Sequence, residues 1–274
     1  IRFVLDCWRY NIPYIITPRS SLTYQAMHNK SRFKKEIAHF LFYDRFVRRA
    51  TAVQYLTKQE YEDSKYRFDG PHFILPNGFN TPPIVKTEFS KDKIRGIFIG
   101  RIDIHQKGLD VLLDVIDDIR EELTAAKFSL ILYGPKLKDY YKVEEIIKEK
   151  NLTDIVSLGG EILKGDKQKA ILDSDVFFLT SRFEGHPMGL IEALAYGLPC
   201  IITTGSNMRP EVEANNCGWC CDFSQDGIKG ALLNMIKESH SLYTMSRNAL
   251  LLASNYDWSN LAVGLNRILS QYVH

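Results

Sequence analysis

The sequence predicts an α/β protein whose larger part is a parallel sheet wound on both faces by helices. Two observations carry this. From about Arg95 onward, short apolar runs alternate with longer amphipathic stretches, and most runs stop at a glycine or a small polar loop. Residues 95–100 (RGIFIG) are the first such run, and a helical stretch follows over 108–120. FSLILY at 128–133 reads as the next strand and breaks at Gly134-Pro135, before a helix with charged faces that runs through Lys150. Residues 155–158 make a third strand, halted by Gly159-Gly160, and a short helix then reaches Leu172. VFFLT at 176–180 enters a loop, a helix starts near Met188, and 199–203 returns as a strand. In a doubly wound sheet ligands settle beyond the carboxyl ends of the strands, where these glycine-bearing loops lie.

Residues 1–78 read differently. A strand over 13–17 precedes one long basic helix over 31–50, and short strands at 51–56 and 73–75 flank a further helix. Pro76-Asn77-Gly78 and Pro82-Pro83 mark the linker. The expected domains are 1–80, 81–256, and a C-terminal amphipathic helix over 257–274 that can pack back on the first. Residues 1–78 hold 13 Lys and Arg against 7 Asp and Glu, a balance of +6; the whole chain is +2, so the rest carries −4. That asymmetry suits two domains with different partners.

The 45% hydrophobic and 25% charged residues of this 274-residue chain exclude a disordered chain, and no run of eighteen apolar residues is present to span a bilayer. No signal peptide is read, although the chain begins at Ile1 rather than Met. Five cysteines, an odd count lying mostly in apolar stretches, suit a reducing compartment. Cys217 and Cys220 form a CxxC, but no second Cys or His pair stands nearby at metal-ligand spacing, and a buried strand is the expectation.

The chemistry concentrates in SRFEGHPMGLIEA at 181–193. A strand ends, a loop carries Glu184, and a helix begins near Met188, whose first amides and dipole suit phosphate. Gly185 and Gly189 let a ligand approach the backbone. Glu192 lies one turn below Met188 on the same helix face, where a carboxylate can accept two hydrogen bonds from a ribose diol. Cations must balance these carboxylates beside a diphosphate, and Gly100-Arg101 and Lys107-Gly108 supply them.

Glu184 and Glu192 flank seven residues, an EX7E spacing, and the segment resembles that of retaining glycosyltransferases of family four. This is the bacterial polysaccharide type, with a GT-B fold of two Rossmann-like doubly wound domains. FIGRIDIHQKGLD (98–110), ILPNGF (74–79), TPRSSL (17–22) and the YGP, LGG and GLPCIIT segments extend the likeness. The resemblance implies that Arg101 and Lys107 hold the donor diphosphate, that Glu184 sits by the sugar hydroxyls, and that Glu192 sits by the ribose. It implies that Gly100 and the backbone of Gly185, His186, Pro187, Met188, Gly189 and Leu190 complete the cradle, with Gly134, Pro135, Gly159, Gly160 and Glu161 edging the nucleobase. Arg19 falls on the acceptor side, next to Ser20 where the family usually has Gly.

The same resemblance implies a nucleoside-diphosphate-sugar donor, a hydroxyl acceptor, no cofactor, no metal and no nucleic-acid partner. Catalysis would fall to Glu184, Arg101 and Lys107, and the role would be cell-surface polysaccharide or glycolipid assembly. The first domain is expected to be truncated at its start, so that the chain as given would bind donor but transfer no sugar. Two rivals stand beside transfer: a binding protein on the same scaffold, and a nucleotide-sugar epimerase. Asp173 and Asp175 mimic a metal-binding DxD but lie where a helix hands over to a strand. His186 is open as a catalytic base or as a packed ring. The basic helix at 31–50, rich in Phe and Tyr, suits either an anionic membrane surface with a lipid-linked acceptor or an aromatic core face with a solvated cationic one. The expected location is cytoplasmic, with peripheral contact at the inner face of the membrane.

Overall fold

A computed structural model describes residues 2–19, 21–22, 43–66 and 68–272. The chain divides into two compact units, one of Ile1–Gly78 with Trp258–His274 and one of Phe79–Asp257.

The first unit holds α1 (Arg2–Arg9), β1 (Ile15–Ile16), α2 (Asp44–Arg48), β2 (Ala52–Tyr55), α3 (Lys58–Ser64), β3 (His72–Ile74) and the last helix, α13 (Trp258–Leu269). Among its described residues the three strands are parallel in the order β1-β2-β3. Ile16, Leu22, Val47, Val53, Tyr55 and Phe68 form the core. Tyr14 ties the periphery to it: its hydroxyl donates to the Phe46 carbonyl at 2.8 Å and receives Trp8 Nε1 at 3.0 Å. Thr57 caps α3 by accepting from the Glu60 amide, while Glu60 accepts from the Leu56 amide at 2.7 Å, a capping box in outline. Helix α1 was not anticipated from sequence. Of the expected long basic helix, residues 31–42 lie outside the described residues. Of its later cations, Arg45 and Arg49 lie over the Trp8 ring at 5.5 and 4.8 Å, so these two pack within the unit.

The second unit runs β4 (Ile94–Ile99), α4 (Ile104–Lys107), α5 (Leu109–Asp118), α6 (Arg120–Ala125), β5 (Phe128–Tyr133), α7 (Lys138–Glu149), β6 (Val156–Gly160), α8 (Lys164–Asp173), β7 (Val176–Leu179), α9 (Met188–Ala195), β8 (Cys200–Thr203), α10 (Arg209–Asn215), β9 (Gly218–Cys221), α11 (Gln225–Lys237) and α12 (Leu242–Ser254). Its six strands are all parallel, in the order β6-β5-β4-β7-β8-β9. Strand periodicity builds two cores. Phe98, Leu130 and Phe178 face α5, α7 and α11, whereas Ile97, Phe177 and Leu179 face α8, α9 and α12. Helices on both faces make this the doubly wound α/β class.

The chain leaves β4 outward through β5 and β6, then returns to place β7 on the other side of β4. Strand order therefore reverses between β4 and β7. The crevice that such a reversal creates at the carboxyl ends of the strands is the expected ligand site, and the loops after β4 and β7 flank it.

Candidate functional site

Lys107 ends the short helix α4. Asp103 caps that helix, its carboxylate accepting from the Gln106 amide at 2.8 Å, and Gly108 stops it at φ 63°. That left-handed backbone favours glycine, and a Cβ there would fall 2.2 Å from the Thr180 carbonyl oxygen. The close approach laces two loops together. Thr180 Oγ1 donates to the Lys107 carbonyl at 3.1 Å, and the Arg182 amide donates to the Gln106 carbonyl at 2.9 Å.

The lacing brings Lys107 and Glu184 together across 77 residues of sequence. Lys107 Nζ donates to Glu184 Oε1 at 2.5 Å, and Ser181 Oγ donates to the same oxygen at 2.5 Å. The side chains are 13% and 10% exposed, so their attraction is little screened by water. Arg101 is 59% exposed; its Nη2 donates to Gln106 Oε1 at 2.6 Å and approaches Asp103 only to 3.7 Å. Its fork therefore remains largely available to an external anion.

Helix α9 starts at Met188 after Pro187, and no side chain caps it. A Cβ on Gly189 would stand 3.0 Å from the Ile99 carbonyl, which is how closely the helix start approaches the end of β4. Asn207, in the left-handed region at φ 59°, donates from Nδ2 to the Glu184 carbonyl and braces the Glu184–Gly185 loop from behind. One turn into α9, Glu192 forms an ion pair with Lys167 of α8. Gly134 packs against the Gly100 carbonyl, where a Cβ would come within 2.2 Å. Beside it, Tyr133, Gly159, Glu161, Ile162 and Leu163 line an open groove at the ends of β5 and β6.

Of the site residues read from sequence, Arg101, Lys107 and Glu184 thus share the β4–β7 crevice. Gly185 to Leu190 form its helix-start wall, while Gly134 and Glu161 lie toward β5 and β6. His186 packs its ring 5.9 Å from that of Tyr256, with Nδ1 enclosed and unpartnered. Burial pulls its pKa down to about 4, so the imidazole is neutral at physiological pH and a weak proton acceptor. Asp175 lies at the amino end of β7, away from Glu184, and is fully buried. Its carboxylate takes Arg95 Nε and Nη2 at 2.8 and 2.9 Å and Lys86 Nζ at 3.2 Å. Among the described residues no cluster of three His, Cys, Asp or Glu could hold a metal ion. Cys220 sits in β9 and Cys217 just before it, and burial pushes both thiols up to about 12, so they stay protonated.

Three contributors escaped the sequence reading. Lys167 and Asn207 carry no local signal. Arg182 stands inside the motif, yet its partners are distant in sequence: Nη1 and Nη2 each donate to an Asp110 carboxylate oxygen at 2.8 Å, and the group lies over Phe223 at 4.5 Å.

A colanic acid biosynthesis glycosyltransferase by name, WcaL of Escherichia coli strain K12, is 29% identical over 120 residues, covering 42% of this chain and 29% of its own. The mannosylfructose-phosphate synthase of Agrobacterium fabrum strain C58 is 22% identical over 209 residues, 74% of this chain and 44% of its own. The chain thus matches less than half the length of these curated relatives. A solved structure, Anabaena Alr3699/HepE in complex with UDP and glucose, aligns with a TM-score of 0.78 at 17% identity, over 97% of this chain and 74% of that one. The pattern of the family described as glycosyl transferases group 1 matches residues 83–252. That stretch is more than half of the chain and contains the whole β4–β7 crevice; the chain belongs to the glycosyl transferases group 1 family.

Proposed function

We propose that this chain serves a glycosyltransferase that passes a sugar from a nucleoside diphosphate to a hydroxyl acceptor, with retention of anomeric configuration. The Lys107–Glu184 pair carries the reading. An ammonium has three donors, so Lys107 can keep Glu184 and still hold a phosphate oxygen. It would thereby set the leaving diphosphate at a fixed distance from a carboxylate placed for sugar hydroxyls. Arg101 adds a planar fork beside it, and the uncapped start of α9 adds backbone amides over 185–190.

As the glycosidic C–O bond breaks, its electron pair goes to the diphosphate, and the two cations stabilise the growing negative charge. The acceptor hydroxyl then forms the new bond to the anomeric carbon through its oxygen, and its proton passes to the departing diphosphate oxygen. Glu192 takes the ribose, and the groove edged by Gly134 and Glu161 takes the base. The Anabaena protein in complex with UDP and glucose makes UDP the first nucleotide to try. The relative named for colanic acid biosynthesis favours a polysaccharide or glycolipid product. Arg101 and Lys107 perform the electrostatic task a metal performs elsewhere, so metal-independent transfer is part of the proposal, as is a lipid-linked acceptor met at the inner membrane face. No helix among the described residues is long and apolar enough to cross a membrane.

Isothermal titration with UDP tests the clamp. Arg101→Ala and Lys107→Ala should each weaken binding by about tenfold or more, the worth of one charge-assisted hydrogen bond. Unchanged affinity in both variants would overturn the assignment. Product analysis of the complete protein with a labelled nucleotide sugar should show transfer in the presence of EDTA and a retained anomer by NMR. An epimerised donor instead would favour the rival reading.

A further inference from the structure

The Lys167–Glu192 ion pair joins α8 to α9 across 25 residues of sequence, and the activity proposed above does not use Lys167. On α8, Asp166, Lys169, Ala170 and Asp173 line the groove at the ends of β5 and β6, a spacing of three, four and seven that marks one helix face. Lys167 stands beside that face and reaches to α9. On α9, Leu190, Ile191, Ala193 and Leu194 are all buried, so Glu192 is a carboxylate set in an otherwise apolar stretch, with its side chain 17% exposed. The pair therefore joins the helix that lines the groove to the helix whose start stands against the end of β4. In a nucleotide the ribose is the link between base and phosphate.

We propose that Lys167 is a positioning residue for ribose recognition: its ammonium holds the Glu192 carboxylate so that the remaining lone pairs point to the ribose hydroxyls. The proposal rests on the ribose reading of Glu192. A carboxylate offers about four lone-pair sites, so one oxygen engaged by Lys167 leaves acceptors for a diol. Without the cation, a carboxylate this withdrawn from water turns to another donor, and its orientation toward the ribose is lost. Lys167 acts through Glu192 and needs no contact with the nucleotide.

The test is titration calorimetry of the 274-residue chain with UDP and with 2′-deoxyUDP. The wild type should prefer UDP by about tenfold, the worth of one hydrogen bond to a charged acceptor. Lys167→Met keeps the aliphatic stem and should shrink that preference to about threefold or less, while Lys167→Arg should largely restore it. Lys167→Gln serves as the second variant if the methionine change impairs folding, judged by circular dichroism. A lysine variant that keeps the full preference, or weakens both nucleotides equally, overturns the proposal, because a merely structural link would do the same. Glu192→Gln separates the two claims. If it also keeps the preference, or if the wild type shows none, the ribose reading fails; if it abolishes the preference and Lys167→Met does not, only the role of Lys167 fails.

Discussion

Asp175 has no exposed surface and faces two cations, Lys86 and Arg95, of which Lys86 is itself buried. Burial pulls the Lys86 pKa down, and Asp175 opposes that pull. Removing the carboxylate leaves a buried ammonium without its ion-pair partner, held by the Leu172 carbonyl at 3.0 Å. Asp175→Asn should therefore lower unfolding free energy by about 3 kcal/mol or more, read from urea denaturation. His186 makes a pH-dependent prediction of opposite chemistry. Its pKa falls from 6.5 to about 4 on folding, so the unfolded chain binds the proton first as pH drops. The stability that the neutral ring contributes is complete above pH 6.5 and is lost between 6.5 and about 4, by up to about 3 kcal/mol at about 1.4 kcal/mol per pH unit. His186→Phe should flatten that acid-side slope relative to wild type in urea unfolding followed against pH.

At the scale of elements, two loops and a helix start must meet for the crevice to exist. Gly108 lets the loop after β4 approach the Thr180 carbonyl, and Arg182 fastens the loop after β7 to Asp110 of α5 and to the His105 carbonyl at 2.6 Å. The Arg182 guanidinium is engaged by Asp110, the His105 carbonyl and the Phe223 ring, so it acts on the site through the loop that carries Glu184. Arg182→Met should weaken UDP binding by about tenfold, since displacement of catalytic groups by about 1 Å is costly to function. The loss should appear in calorimetry with the circular dichroism spectrum unchanged. The motif that contains Arg182 was legible in sequence because its Glu spacing and glycines are local. Its clamp was not, because Asp110 lies 72 residues earlier and only the β4–β7 adjacency brings the two together.

The second unit closes on itself. The Phe79 amide donates to the Tyr256 carbonyl at 2.7 Å, and the Thr81 amide donates to Asp257 Oδ2 at 3.1 Å, so its ends are joined. It contains both large cores and every group assigned to the donor. A fragment of residues 79–257 should fold alone by circular dichroism and bind UDP within about threefold of the whole chain, a difference under about 1 kcal/mol. A fragment that folds but fails to bind UDP would move the donor site out of this unit.

The sequence alone determined the alternation of strand and helix after residue 94, the glycine stops at the strand ends, and the residue types a phosphate and a diol require. Each of these depends on neighbours within a turn or a strand, where apolar period and turn chemistry act directly; the run at 128–133 is the strand Phe128–Tyr133. Tertiary structure decided the rest. It set β4 between β5 and β7, joined α13 to the first unit, took up Asp175 in a buried cation pair, and matched Lys107 to Glu184 and Lys167 to Glu192. Those pairings follow from which strands share an edge, and strand order is a property of the packed sheet as a whole rather than of any window of residues.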